Sequence, residues 1–122
     1  MSKRTFRMRA RVRNFGYAFR GIGLLLRNEH NAWIHLVASV LVFVLGFVCR
    51  ISTMEWVAVV LCIGGVLAAE ALNTAIEALC DHVTPERHPN IMRIKDLAAG
   101  AVLLLAIAAA VVGTIIFLPK LL

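Results

Sequence analysis

The stretch best equipped for chemistry reads Glu70-Ala-Leu-Asn73-Thr74-Ala-Ile-Glu77-Ala-Leu-Cys80-Asp81. In a helix turning about 100° per residue, Glu70, Asn73, Thr74, Glu77 and Asp81 fall within an arc of about 100°. Three acids and an amide on one face suit general-base work, a hard cation, or both. The bland reading is a hydrogen-bonded polar seam between helices. One Asn would serve as such glue, and three acids are a poor choice for it, because each costs about 2.5–3.5 kcal/mol at mid-membrane depth.

That cost applies because the surrounding chain reads as membrane protein. It has 122 residues, a net charge of +6 and 61% hydrophobic residues, with a mean hydropathy of +0.84. One domain, 1–122, is expected from the length. An ordinary soluble domain is about 45–50% apolar, so the composition excludes soluble and disordered classes alike. Cys49, Cys62 and Cys80 are odd in number and far apart, which suggests neither a disulfide framework nor a zinc ribbon.

Four helices are expected. Met8, Val12, Phe15, Phe19, Ile22 and Leu26 recur at spacings of three and four, with Arg7, Arg11, Arg13, Arg20 and Arg27 mainly off the stripe. The pattern predicts an amphipathic helix over 5–28, lying in the interface with its basic face towards anionic headgroups. This stretch has no apolar core of a signal peptide, and nothing soluble follows it that would suit nucleic acid. Uncharged runs of 17 residues (Ala32–Val48) and 22 residues (Leu97–Leu118) predict spans over 31–49 and 94–118. Between them Trp56–Ala69 is uncharged for 14 residues, about 21 Å of a roughly 30 Å hydrocarbon core. The middle span, 54–82, must therefore carry Glu70, Asn73 and Glu77 with it. Arg50 to Glu55 reads as a turn.

Eight of the thirteen Lys and Arg precede the first span, and three more lie in the second loop. The positive-inside rule then places the N-terminus and the 82–96 loop in the cytoplasm and the C-terminus on the outer side. Glu29, before the first span, and Glu77, near the same boundary, form a candidate site for a hard cation such as Mg²⁺, which two carboxylates plus phosphate oxygens can hold. Glu70 lies deeper, within reach of a lipid hydroxyl, as a candidate base. Lys95 and Asp96 open the last helix, where a lysine and helix N-terminal amides suit phosphate. Gly16-Tyr17-Ala-Phe-Arg-Gly21 has the glycine spacing of a phosphate loop but lacks its Lys and Ser/Thr. Cys80, His82 and His88 are a weak zinc pattern, and His35 and Ser39 read as bundle-facing residues.

The acidic stretch, followed by Lys95-Asp96-x-Ala-Ala-Gly and preceded by Asn28-Glu29, resembles the signature of the prokaryotic diacylglycerol kinase family over about residues 13–118. The resemblance implies an all-α membrane protein, a surface helix plus three transmembrane helices, assembled as a homotrimeric bundle in the bacterial inner membrane. It implies transfer of the ATP γ-phosphate to a lipid hydroxyl with Mg²⁺. By position, Glu70 would be the catalytic base and acceptor contact, with Asn73 orienting the acidic centre. Glu29 and Glu77 would be metal and nucleotide ligands, and Tyr17, Glu86, Arg87, His88, Lys95 and Asp96 would contact nucleotide. Ala99 stands at an acceptor-contact position that is serine in the diacylglycerol-using branch. Asn28-Glu29-His-Asn31-Ala-Trp-Ile34-His35 is similar to the undecaprenol kinase branch, so undecaprenol is the favoured acceptor and diacylglycerol the alternative. A non-enzymatic ion relay is the remote alternative, and ATP binding separates it from a kinase.

Overall fold

A computed structural model describes residues 3–122, with side chains from Arg7 onward; Met1 and Ser2 of the expected single domain lie outside the described residues. Four helices follow one another: α1 Lys3–Asn28, α2 His30–Cys49, α3 Thr53–Val83 and α4 Pro89–Leu121. The last three are long and apolar enough to cross a membrane. Helices of 20, 31 and 33 residues are about 30, 46 and 50 Å long, so α2 matches a roughly 30 Å core while α3 and α4 overshoot it. Large apolar side chains are exposed along all three spans, including Leu41, Phe47, Leu61, Leu72 and Leu104. That is the reverse of a soluble domain and suits lipid or neighbouring helices. The all-helical, three-span expectation is borne out.

The joints are short and specified locally. Glu29 alone separates α1 from α2, in extended conformation at φ −109° and ψ 114°. Its N–H still donates to the Leu25 carbonyl at 3.1 Å, and the Trp33 indole N–H donates back to the Leu26 carbonyl. On α1 the stripe Met8, Val12, Phe15, Phe19 and Ile22 is exposed, as an interfacial face requires.

The α2–α3 turn is tighter than its sequence suggested. Arg50 closes α2 in the left-handed region, at φ 54° and ψ 53°, with its N–H bonded to the last carbonyls. Ser52 then caps α3: its hydroxyl accepts from the Glu55 N–H, and the Glu55 carboxylate accepts from the Ser52 N–H at 2.9 Å. This reciprocal capping box supplies partners to otherwise orphaned amides, so Thr53–Glu55 are helical and not part of the turn.

α4 departs from expectation at both ends. Pro89 at the first helical position and the His88 ring, whose Nδ1 accepts from the Asn90 N–H at 3.2 Å, start it at 89. The sequence reading began at 94 because it followed the apolar run; the start is set by the cap and the proline. α4 also continues past Leu118 through Pro119, with the Leu122 N–H bonded to the Leu118 carbonyl at 3.2 Å. A proline this close to the end disturbs only the final turn.

The apolar core sits at the α2–α3 turn end, where Ile51, Val59, Ile116 and Phe117 are buried together. Trp56 stacks on Phe43 and tilts against Phe47, with centroids 5.5 and 4.9 Å apart. Lys120 reaches Glu55 across this end at 3.0 Å. Gly46 makes the packing possible: a Cβ there would lie 2.7 Å from the Trp56 ring and 3.2 Å from Ile51. Gly46→Ala therefore lowers stability by about 1–3 kcal/mol, seen as a lower thermal midpoint in detergent micelles. An unchanged midpoint contradicts this packing.

Candidate active site

The opposite end of the bundle holds the acids. α3 packs mainly against α4 and also meets α1 and α2. Counting from Thr53, Glu70 lies about 26 Å along the axis, and Asn73, Glu77 and Asp81 follow beyond it. Burial falls along the same direction. Glu70 is 3% exposed, the one buried charged residue among those described. Asn73, Thr74 and Glu77 are half-buried, and Asp81 is exposed.

Each acid has a different partner. Glu70 Oε1 lies 3.2 Å from His35 Nε2, across the α2–α3 interface. An N–H at Nε2 would donate to this carboxyl oxygen. A buried carboxylate without such a donor would be expensive. One turn on, the Asn73 amide donates to Glu77 Oε1 at 3.4 Å. Asp81 Oδ1 takes Lys95 Nζ at 2.6 Å and so joins α3 to α4.

The expected cation ligands are less converged. Glu29 is half-buried at the α1–α2 joint, and its side chain makes no cap hydrogen bond. No cluster of three or more His, Cys, Asp or Glu forms a closed metal cage among the described residues. Mg²⁺ does not require one, because it takes one or two carboxylates and keeps waters and phosphate oxygens. The donor set of α3 fits such an ion. Asn73 Oδ1 is buried with no hydrogen-bond partner, and it sits one turn from the Glu77 carboxylate.

The expected nucleotide contacts are spread over three elements. Tyr17 is exposed on α1, with the Arg20 guanidinium 5.7 Å from its ring centroid. Glu86, Arg87 and His88 are exposed in the link between α3 and α4. Lys95 and Asp96 are the seventh and eighth residues of α4, about two turns in and not at its opening, a correction that follows from the start at Pro89. At that N-terminus Pro89 carries no N–H, the Asn90 N–H donates to His88 Nδ1 and the Met92 N–H to the His88 carbonyl, which leaves the Ile91 amide. Ala99 is exposed on α4, next to buried Ala98.

Sequence reasoning passed over two partners. His35 was read as facing the bundle only. Its signal was chemical: besides Trp33 it is the one side chain with an N–H donor in the Ala32–Val48 run, and a buried acid on the next span needs a donor. Asp81 was placed on the acidic face but not against Lys95. That pairing depends on how α3 and α4 lie across a five-residue link.

A family model described as prokaryotic diacylglycerol kinase matches residues 16–117. The chain is 42% identical over 109 residues to undecaprenol kinase from Bacillus subtilis, covering 89% of each protein. It is 34% identical over 110 residues to a diacylglycerol kinase from Synechocystis, covering 89% of this chain and 63% of that protein. The match runs from the later part of α1 to Phe117 in α4, and so includes every residue named in this site. The resemblance read from the acidic motif is thus borne out, and this multi-pass membrane protein is a lipid kinase belonging to the prokaryotic diacylglycerol kinase family.

Proposed function

We propose that the protein phosphorylates the hydroxyl of undecaprenol with ATP and Mg²⁺, giving undecaprenyl phosphate and ADP. The observation that carries this choice of acceptor is the 42% identity to an undecaprenol kinase across nearly the full length of both chains. Diacylglycerol is the second acceptor to test, supported by the family description and by the Synechocystis relative.

The residues divide the work by depth. Glu70, nearest the hydrocarbon, accepts the proton of the lipid hydroxyl as its oxygen bonds to the γ-phosphorus and the bond to the bridging oxygen of ADP breaks. Asn73 holds Glu77 in place through the bond at 3.4 Å. Glu77, the unpartnered Asn73 oxygen and Glu29 are the oxygens offered to Mg²⁺, which when bound offsets the charge of the β- and γ-phosphates. Lys95 meets phosphate as a point charge, the phosphate replacing Asp81 as its partner. Tyr17, Glu86, Arg87, His88 and Asp96 contact the nucleotide from the more exposed side, and Ala99 adjoins the acceptor.

The protein works as a homotrimer in the bacterial inner membrane, as one domain over 1–122. α1 and the 82–96 segment face the cytoplasm and the C-terminus faces outward, as eight Lys and Arg before the first span favour. Trimer formation also suits the large apolar side chains left exposed on α2 and α4.

The test is phosphate transfer from labelled ATP by purified protein in mixed micelles, offering undecaprenol and diacylglycerol separately. Faster phosphorylation of undecaprenol is the expected result. Preferential phosphorylation of diacylglycerol overturns the choice of acceptor, and no product with either lipid overturns the proposed reaction.

A further inference from the structure

We propose that His35 is a positioning residue for the phosphoryl transfer. It fixes the Glu70 carboxylate by engaging Oε1 and leaves Oε2 for the acceptor hydroxyl. The proposal rests on the reading of Glu70 as the base.

Three observations support it. First, the His35–Glu70 contact at 3.2 Å is the one side-chain hydrogen bond Glu70 makes among the described residues. The neighbouring donors are committed elsewhere: Asn73 to Glu77, Lys95 to Asp81, and the Ser39 hydroxyl to the His35 carbonyl. A buried carboxylate with a single side-chain donor takes its orientation from that donor.

Second, His35 is itself held. Ala32, one turn earlier on α2, is fully buried, and the Ser39 hydroxyl donates to the His35 carbonyl at 2.6 Å. The imidazole is rigid beyond χ2, so with the backbone held in α2 and the side chain 27% exposed, only χ1 and χ2 place Nε2. Third, the ring borders an apolar cavity of about 130 Å³ between α2, α3 and α4, lined by Ala38, Val42, Val66 and Gly113 among others. Such surroundings strengthen a hydrogen bond and penalise its loss.

The geometry makes a distinctive demand. A replacement must place an N–H at the position of Nε2. The Gln side chain reaches that far, and the Asn side chain, one methylene shorter, does not. His35→Gln, His35→Asn and His35→Leu would be compared with the unaltered full-length protein in the mixed-micelle assay. Oligomeric state would be followed by size-exclusion chromatography.

The expected result is a fall in kcat of roughly 10–100-fold for His35→Leu and His35→Asn, the range seen when a residue orienting a catalytic ligand is lost. KM for Mg–ATP and the elution volume stay unchanged. His35→Gln recovers to within about fivefold of the unaltered protein, set against that same range. A loss of packing alone would instead move KM and elution together and would not separate Gln from Asn. Equal activity of the Gln and Asn variants overturns the proposal, whether or not the Leu variant folds. If the unaltered protein transfers no phosphate to either lipid, the reading of Glu70 as base fails and the role of His35 falls with it.

Discussion

Glu70→Gln keeps the helical content, the oligomer and Mg–ATP binding, and loses phosphate transfer by about 10²–10⁴-fold, the range set by a positioned general base. The amide is nearly isosteric and still accepts from His35, so the 3.2 Å contact across α2 and α3 survives. What it cannot do is take a proton. The measurement is the initial rate of lipid phosphate formation in mixed micelles, with circular dichroism and nucleotide binding as controls. A variant within about threefold of the unaltered rate, far short of that range, removes Glu70 from the chemistry. Because the amide keeps the shape of the buried side chain and its contact with His35, the exchange is not expected to weaken the fold.

Glu77→Gln acts on a different quantity. The free Mg²⁺ needed for half-maximal rate rises by at least about tenfold, by comparison with the 10–100-fold losses on disturbing metal-site support. The rate at saturating Mg²⁺ falls less. Glu77 takes one amide hydrogen from Asn73 at 3.4 Å, and Asn73 Oδ1 beside it is buried without a partner. Exchanging the carboxylate for an amide removes the charge of that oxygen pair while keeping its shape. Rates plotted against free Mg²⁺ at fixed ATP decide the matter, and a curve that does not move takes Glu77 out of the metal site.

The two variants separate because position along α3 separates the residues, and that position is legible in the sequence. Interruption of the middle apolar run at Glu70 required the span to carry acids, and spacing put Glu70, Asn73, Glu77 and Asp81 on one face. The burial gradient from Glu70 to Asp81 follows from those two facts. Helix ends were legible only where their chemistry was local. The capping box of Ser52 and Glu55 and the pairing of His88 with Pro89 are spelled out within four residues. An apolar run does not reveal them, because hydropathy reports the membrane and not the cap.

Pairings between helices were harder to read. His35 and Glu70 are 35 residues apart, and Asp81 and Lys95 are 14 apart. Periodicity fixes which face of each helix a residue occupies, but not the rotation of one helix about another. That rotation is set by packing between the helices, which includes the far end, where Gly46 admits Trp56 and Ile51 closes on Val59, Ile116 and Phe117.

The seclusion of Glu70 also bears on the fidelity of a kinase. Water is a small, abundant nucleophile that competes with a lipid alcohol for the γ-phosphate, and a base open to solvent would activate it as readily. Glu70 is closed off on the α2 side by His35 and along its own helix by buried Ala69 and Val66. Solvent therefore has little access to the group that would deprotonate it. On the proposed role of Glu70 as the base, the packing that makes this carboxylate costly to bury would also suppress idle hydrolysis of nucleotide, reserving the phosphate for a membrane alcohol.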